Sequence, residues 1–225
     1  MKISFGGHSC FLLESGSHRI IIDPFLSCNP VAEWAVNEID VQFILVTHGH
    51  ADHLGDTLEL AQRTGATVIA PYELALYCSG KGAKVHPMNV GGSWQFPFGR
   101  VKLTQALHGS FIEEGLIYAG NPCGFLIFMD GKTIYHAGDT GLFGDMKLIG
   151  EYTPVDLALL PIGDNFVMGP EDAVLAAEFV KAKHVVPMHY NTFDMIKQDA
   201  AVFCQKLAGI AGCTILQPGE YMEIC

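Results

Sequence analysis

Short apolar runs punctuated by Gly, Asp and Pro open the chain, at residues 3–5, 10–14 and 19–23 just before Pro24. Runs of this length between turn residues predict a meander of antiparallel strands. From residue 41 the texture changes. Residues 41–46 form an apolar run of strand length, 54–63 carry Leu54, Leu58, Leu60 and Ala61 at helical spacing, and 67–70 are strand-like again. This predicts a strand, helix, strand unit, followed by a helix over 72–79 and by strands at 84–87, 93–96 and 100–106.

The order then recurs. Residues 11–23, centred on Ser15-Gly16, match 125–136, centred on Asp130-Gly131; 41–49 align with 155–163 at one constant offset, and 66–72 are echoed by 183–189. Two small α/β halves, neither able to cover both faces of its own sheet, bury apolar surface best by packing sheet against sheet with helices outside. The expected fold is therefore α/β, a four-layer αββα sandwich built from two pseudo-repeated halves, and 225 residues suit a single domain spanning 1–225. Ile162 stands where His48 stands in the first half. Only one half keeps the polar loop, so the other should supply further functional groups from its strand ends.

That loop is the densest chemistry in the chain: His48, Gly49, His50, Ala51, Asp52, His53. Imidazole is a common ligand of divalent metals, and His48 and His50, two apart on a turning backbone, can aim at one ion while Asp52 and His53 face a second. Placement between a strand and a helix suits a rigid scaffold presenting accessible ligands. Two ions need more ligands, and His108, Asp139 and His189 each follow a predicted strand at a turn.

Composition limits the remaining choices. A chain that is 49% hydrophobic and 16% charged is a packed globular protein. Its net charge of −11 disfavours nucleic acid and anionic lipid as partners, leaving a small-molecule substrate. No apolar run reaches the roughly 18 residues of a membrane span, and residues 1–10 lack a signal-peptide pattern. Cysteines at 10, 28, 78, 123, 204, 213 and 225 form no CxxC pair and read as free thiols of a cytoplasmic protein. A homo-oligomer is compatible with these residues.

The HxHxDH motif, the later His108, the Gly-Asp-Thr segment around Asp139 and the last His189 after a strand resemble the metallo-β-lactamase superfamily over essentially the full length. Gly6-Gly-His-Ser9, Ile22-Asp-Pro-Phe25, Pro161-Ile-Gly-Asp-Asn165, Met168-Gly-Pro-Glu-Asp172 and Pro187-Met-His-Tyr-Asn-Thr192 resemble its uncharacterised metal-dependent hydrolase branch. Relatives of that branch include ascorbate-6-phosphate lactonase and the phospholipase D acting on N-acyl-phosphatidylethanolamine. The resemblance implies His48, His50 and His108 at one metal, Asp52, His53 and His189 at the other, and Asp139 bridging them. Zinc is the first expectation, with manganese or iron as alternatives.

The implied activity is a dinuclear metal-dependent hydrolase that uses a metal-bridging hydroxide on a small ester, lactone or phosphodiester. The competing reading is a metal-containing ligand-binding or sensing module without turnover. Asp52 is placed to orient the hydroxide. His8, in a Gly-rich turn that the resemblance puts at the rim of the site, is a second catalytic candidate, or else a turn-capping residue. His136 is read as a substrate contact or a support behind the ligands, with a buried core hydrogen bond as the alternative. Asn165 and Asn191 are candidate substrate amides, though turn formation explains each nearly as well. His18, His86 and His184 are expected to carry no chemistry. The long Gly-rich segment 109–122 should line or cover the pocket.

Overall fold

The structure, a computed structural model, describes residues 1–224. The early apolar runs pair as an antiparallel meander of β1 (Lys2–Gly7), β2 (Cys10–Ser15) and β3 (His18–Ile22). The two-residue turn between β2 and β3 places Gly16 at φ 57, a conformation that glycine adopts without strain. Parallel strands β4 (Phe43–Leu45), β5 (Thr67–Pro71) and β6 (Lys84–Met88) extend the sheet from β3. Between them lie the helices α1 (Ala51–Leu54), α2 (Thr57–Thr64) and α3 (Tyr72–Gly80).

The second sheet begins with β7 (Ser93–Phe96) and β8 (Gly99–Gln105). A small hairpin of β9 (Phe111–Ile112) and β10 (Ile117–Tyr118) follows. Next come β11 (Cys123–Met129) and β12 (Lys132–His136), joined through Asp130-Gly131 with φ of 53 and 70, as a two-residue turn with both central residues left-handed demands. Helix α4 (Met146–Tyr152), β13 (Leu157–Pro161), α5 (Pro170–Phe179), β14 (His184–Met188), α6 (Ala200–Lys206) and β15 (Gly212–Cys213) complete this half. The last strand, β16 (Tyr221–Glu223), returns to the first sheet beside β1.

The two sheets run β16-β1-β2-β3-β4-β5-β6 and β15-β14-β13-β12-β11-β8-β7. In each, an antiparallel hairpin is followed by three parallel strands, which is the duplication visible in the residue pattern. Alternation fixes the layers. Ile20 and Ile22 face the second sheet while Ile21 faces helices, and Leu157 and Leu159 do the same opposite Ala158 and Leu160. One apolar layer, with Phe11 and Phe125 at its centre, lies between the sheets; outer layers join the first sheet to Leu60 and Leu74, and the second to Ala173 and Phe203. The αββα sandwich follows. Among the described residues no helix is long and apolar enough to cross a membrane.

Two expectations change. The helix expected over 54–63 is divided, because Gly55 takes φ 41 and a Cβ there would collide with the Pro24 carbonyl. Asp52 and His53 consequently lie in α1 and not in a loop. Cys204 and Cys213, expected as free thiols, form a disulfide, since the chain turns back after α6 and brings their Cα atoms to 5.5 Å. Cys10, Cys28, Cys78 and Cys123 are free.

Phe125 is fully buried between the sheets. Phe125→Ala should lower unfolding free energy by about 3 to 5 kcal/mol, read from urea denaturation followed by far-UV circular dichroism.

Candidate metal centre

Every expected ligand emerges where a strand ends. His48, His50, Asp52 and His53 follow β4, His108 follows β8, Asp139 follows β12, and His189 follows β14. His8 joins them from the tight connection between β1 and β2. His8 and His189 both hold left-handed backbones, φ 59 and 54, and the His189 N–H donates to the His8 carbonyl at 2.7 Å. Such conformations persist in non-glycine residues when surrounding contacts over-determine them. Here that bond ties a loop of the first sheet to a loop of the second.

Behind the ligands lies Asp23, fully buried at the end of β3. Its Oδ1 accepts the Thr47 N–H at 2.8 Å, and its Oδ2 accepts both the Thr47 hydroxyl and the His53 Nδ1–H at 2.7 Å. The Thr47 proton is thereby used, so its oxygen accepts from His48 Nδ1–H at 2.9 Å. Both imidazoles are held in the tautomer that turns a bare Nε2 lone pair toward the cluster. This is how carboxylates and hydroxyls orient histidine ligands.

The bare atoms converge. His48 Nε2 is 2.9 Å from His50 Nδ1, which is 3.2 Å from His108 Nε2. Asp139 reaches His53 Nε2 at 3.2 Å through Oδ1, and His189 Nε2 at 2.9 Å and His108 Nε2 at 3.6 Å through Oδ2. His53 Nε2 and Asp139 Oδ1 are buried without hydrogen-bond partners. A lone pair facing a carboxylate oxygen calls for a proton or a metal cation between them, and a nitrogen and oxygen donor set suits a borderline divalent metal. Three overlapping groups have ligand atoms within 4.8 Å of one another: His48, His50 and His108; His48, His53 and Asp139; His8, Asp52, His53 and His189. The residues fit a metal centre.

The electrostatics agree. Burial pushes His48 well below its ordinary pKa and lowers His50 and His108, keeping them neutral as ligands must be. Burial also opposes the charged forms of His53 and Asp139. Asp139 and Asp23 nevertheless hold His53 well above its ordinary value, and His189 and His53 hold Asp139 well below its own. Both opposing shifts express the same unmet attraction for positive charge.

His8 is buried and pushed down to about 4 by burial and the neighbouring His189. Its Nε2–H donates to Asp52 Oδ2 at 3.1 Å, while Nδ1 accepts from the Thr192 hydroxyl at 2.9 Å. His8 touches the cluster through Asp52. The centre opens on its other side, where the side chains of Asp52 and His108 are 28% and 14% exposed against 3% for Asp139 and His189. Segment 109–122 folds as the β9–β10 hairpin over that opening. Phe111 sets its ring edge-on to His50 at 5.0 Å, and a Cβ on Gly49 would collide with Ala119 beneath the hairpin.

His136 departs from expectation. It is fully buried, its Nε2–H donates to the Ser9 carbonyl at 3.0 Å, and its Nδ1 accepts the Gly138 N–H at 3.2 Å. No nitrogen remains for a substrate, so the core alternative holds. Asn165 lies on an exposed turn at φ 48, its N–H bonded to Asp164 Oδ1. Asn191 shares a cavity wall with His8, although its Oδ1 is engaged by the Gln198 N–H at 2.8 Å. Asp23, Thr47 and Thr192 were not among the expected site residues. The signals for Asp23 were a carboxylate before Pro24 at the end of an apolar strand and its place in the Ile22-Asp-Pro-Phe25 segment of the family resemblance.

Paired seven-stranded sheets with a histidine and aspartate cluster at one edge define a class of metallohydrolase folds. A family model described as the beta-lactamase superfamily domain matches residues 18–190. A UPF0173 metal-dependent hydrolase of Anoxybacillus flavithermus is 53% identical over 227 residues, covering 100% of both chains. Another, from Bacillus velezensis, is 54% identical over 228 residues, again covering 100% of each. Among solved structures, Igni18, a metallo hydrolase from the archaeon Ignicoccus hospitalis, superposes with a TM-score of 0.91 at 38% identity, covering 100% of this chain and 99% of that one. The isothiocyanate hydrolase from Delia radicum gut bacteria shares the fold, with a TM-score of 0.77 at 21% identity over 100% and 99% of the two chains. The chain belongs to the metallo-β-lactamase superfamily, among its metal-dependent hydrolases.

Replacing Asp23 with Asn puts an N–H donor or a weaker acceptor against His53 and Thr47. Asp23→Asn should weaken metal affinity by about 10- to 100-fold, measured by competition with a chromophoric chelator.

Proposed function

We propose that the chain, acting as one domain over residues 1–225, is a dinuclear hydrolase of a small ester, lactone or phosphodiester. The observation that carries this reading is Asp139, whose Oδ2 lies 3.6 Å from His108 Nε2 of one proposed ligand set and 2.9 Å from His189 Nε2 of the other, with Oδ1 3.2 Å from His53 Nε2. A carboxylate so placed suits two cations better than one. His48, His50 and His108 would hold one ion, Asp52, His53 and His189 the second, and Asp139 both. Zinc fits the imidazole-rich set, and the mixed nitrogen and oxygen donors also accept manganese or iron. Two such ions supply an acidified shared water and countercharge for the oxyanion.

The chain's own groups do the positioning. Asp52, gripped by His8, would orient the attacking oxygen toward the substrate. His8, held by Thr192, would fix the Asp52 rotamer and so act as a positioning residue, with both ring nitrogens engaged. Phe111 and the β9–β10 hairpin would shield the reacting centre from bulk water, which strengthens every electrostatic contact inside. Asn191, on the cavity wall beside His8, is the better placed of the two asparagines to meet substrate. Free Cys10, Cys28, Cys78 and Cys123 favour a cytoplasmic setting, and the Cys204–Cys213 bond runs against it.

A panel of chromogenic esters, lactones and phosphodiesters, assayed with added Zn²⁺ and Mn²⁺, separates turnover from mere binding. Hydrolysis is expected, and silence across the panel in verified metal-loaded protein would favour a sensing role. Asp139→Ala should reduce turnover to background and lower bound metal by elemental analysis; near-wild-type turnover with full metal content would overturn the reading. His8→Ala should lower kcat by about 10- to 100-fold with metal content unchanged. His8→Gln, which keeps a donor toward Asp52, should recover part of that loss.

A further inference from the structure

Two cavities of about 420 Å³ each flank the candidate centre. One is bounded by His8, the other by Gly49 and Ala51 of the ligand loop. That size falls within the range of small-molecule pockets. The second cavity runs between the β9–β10 hairpin and the helices of the first half. Its walls are mainly apolar, with Phe25, Leu54, Leu58, Tyr77 and Ile112 among them. Among the described residues, no lysine or arginine lines either cavity.

The charges present have one sign. Asp56 turns its Oδ2 away to accept the N–H groups of Leu26 and Ser27, both at 2.9 Å. Glu113 and Glu114 remain at the hairpin end, exposed on the cavity rim. An anionic group entering this slot would meet carboxylates and lose its hydration with no cation to replace it, which is costly in an apolar environment. An alkyl or aryl group would exchange water for apolar walls, a gain of about 0.8 kcal/mol per buried methylene. A terminal ammonium would be accepted at the glutamate rim.

We infer that this cavity is the subsite for an apolar tail of the substrate, either uncharged or ending in a cation, and that anionic tails are rejected there. The inference depends on the proposed hydrolase reading only for what the tail belongs to. It narrows the substrate class to compounds whose tail on this side of the reacting group carries no anion. Specificity would then reside in the hairpin and Cys28, both on the cavity wall.

Hydroxamates test this without turnover, because one metal-chelating head can carry different tails. Zinc-loaded full-length protein is titrated by calorimetry with acetohydroxamate, octanohydroxamate, its 8-amino derivative and suberic monohydroxamate. Octanohydroxamate should bind at least about tenfold tighter than acetohydroxamate, the ammonium tail equally well or better, and the carboxylate tail at least about tenfold weaker than octanohydroxamate. Cys28→Trp, at an exposed position on the cavity wall, should remove the advantage of the long tail over acetohydroxamate. Glu113→Gln should narrow the gap between the carboxylate and alkyl tails.

A carboxylate tail binding as tightly as the alkyl one would overturn the inference. So would a long-tail advantage that survives Cys28→Trp, or no binding of any hydroxamate. Tail selectivity without hydrolysis of any ester would remove the hydrolase reading and leave the subsite standing. Hydrolysis without tail selectivity would do the reverse.

Discussion

One buried carboxylate sets the orientation of much of the centre. Asp23 has no solvent and no lysine or arginine among its hydrogen-bond partners; it is satisfied by the Thr47 backbone, the Thr47 hydroxyl and His53. A buried charge left without such partners would cost several kcal/mol. Because the Thr47 proton goes to Asp23, His48 must donate to Thr47, and because His53 donates to Asp23, its other nitrogen is bare. Two imidazoles of one motif are thus aimed by a residue that is not itself in the cluster. The orphaned His53 Nε2 and Asp139 Oδ1 are the consequence, and their demand for a cation follows.

The duplicated sandwich makes this arrangement affordable. Strands from both sheets end at one edge, so ligands distant in sequence need only short loops to meet. The halves are not equivalent there. The first contributes the HxHxDH loop on β4 and α1, while the matching position beyond β13 is Ile162, fully buried in the second half's outer core. The second half instead sends Asp139 and His189 from its other strand ends. The bond from the His189 N–H to the His8 carbonyl joins the two contributions.

Most of the architecture was legible because it rests on local patterns: apolar alternation, turn residues and the repeat. The convergence of the candidate ligands was legible because histidine and aspartate at strand ends are unusual where apolar residues would pack. Three things were not. The break at Gly55 goes with the close approach of the Pro24 carbonyl, thirty-one residues earlier in the chain, which leaves no room for a Cβ. The role of His136 depends on which face of β12 meets the Ser9 carbonyl, and both faces are buried. The Cys204–Cys213 bond depends on the path of the chain after α6, which spacing alone does not specify. None of these is fixed by local spacing, and each overrode a sound local expectation.

The central claim is that Asp139 stands between two metal positions. Anomalous diffraction from crystals grown with excess Zn²⁺ or Mn²⁺, recorded on both sides of the metal absorption edge, tests it directly. Two peaks are predicted, one among His48, His50 and His108 and one among Asp52, His53 and His189, with Asp139 in contact with both. A single peak at full occupancy, or metal bound elsewhere with the cluster empty, would contradict it.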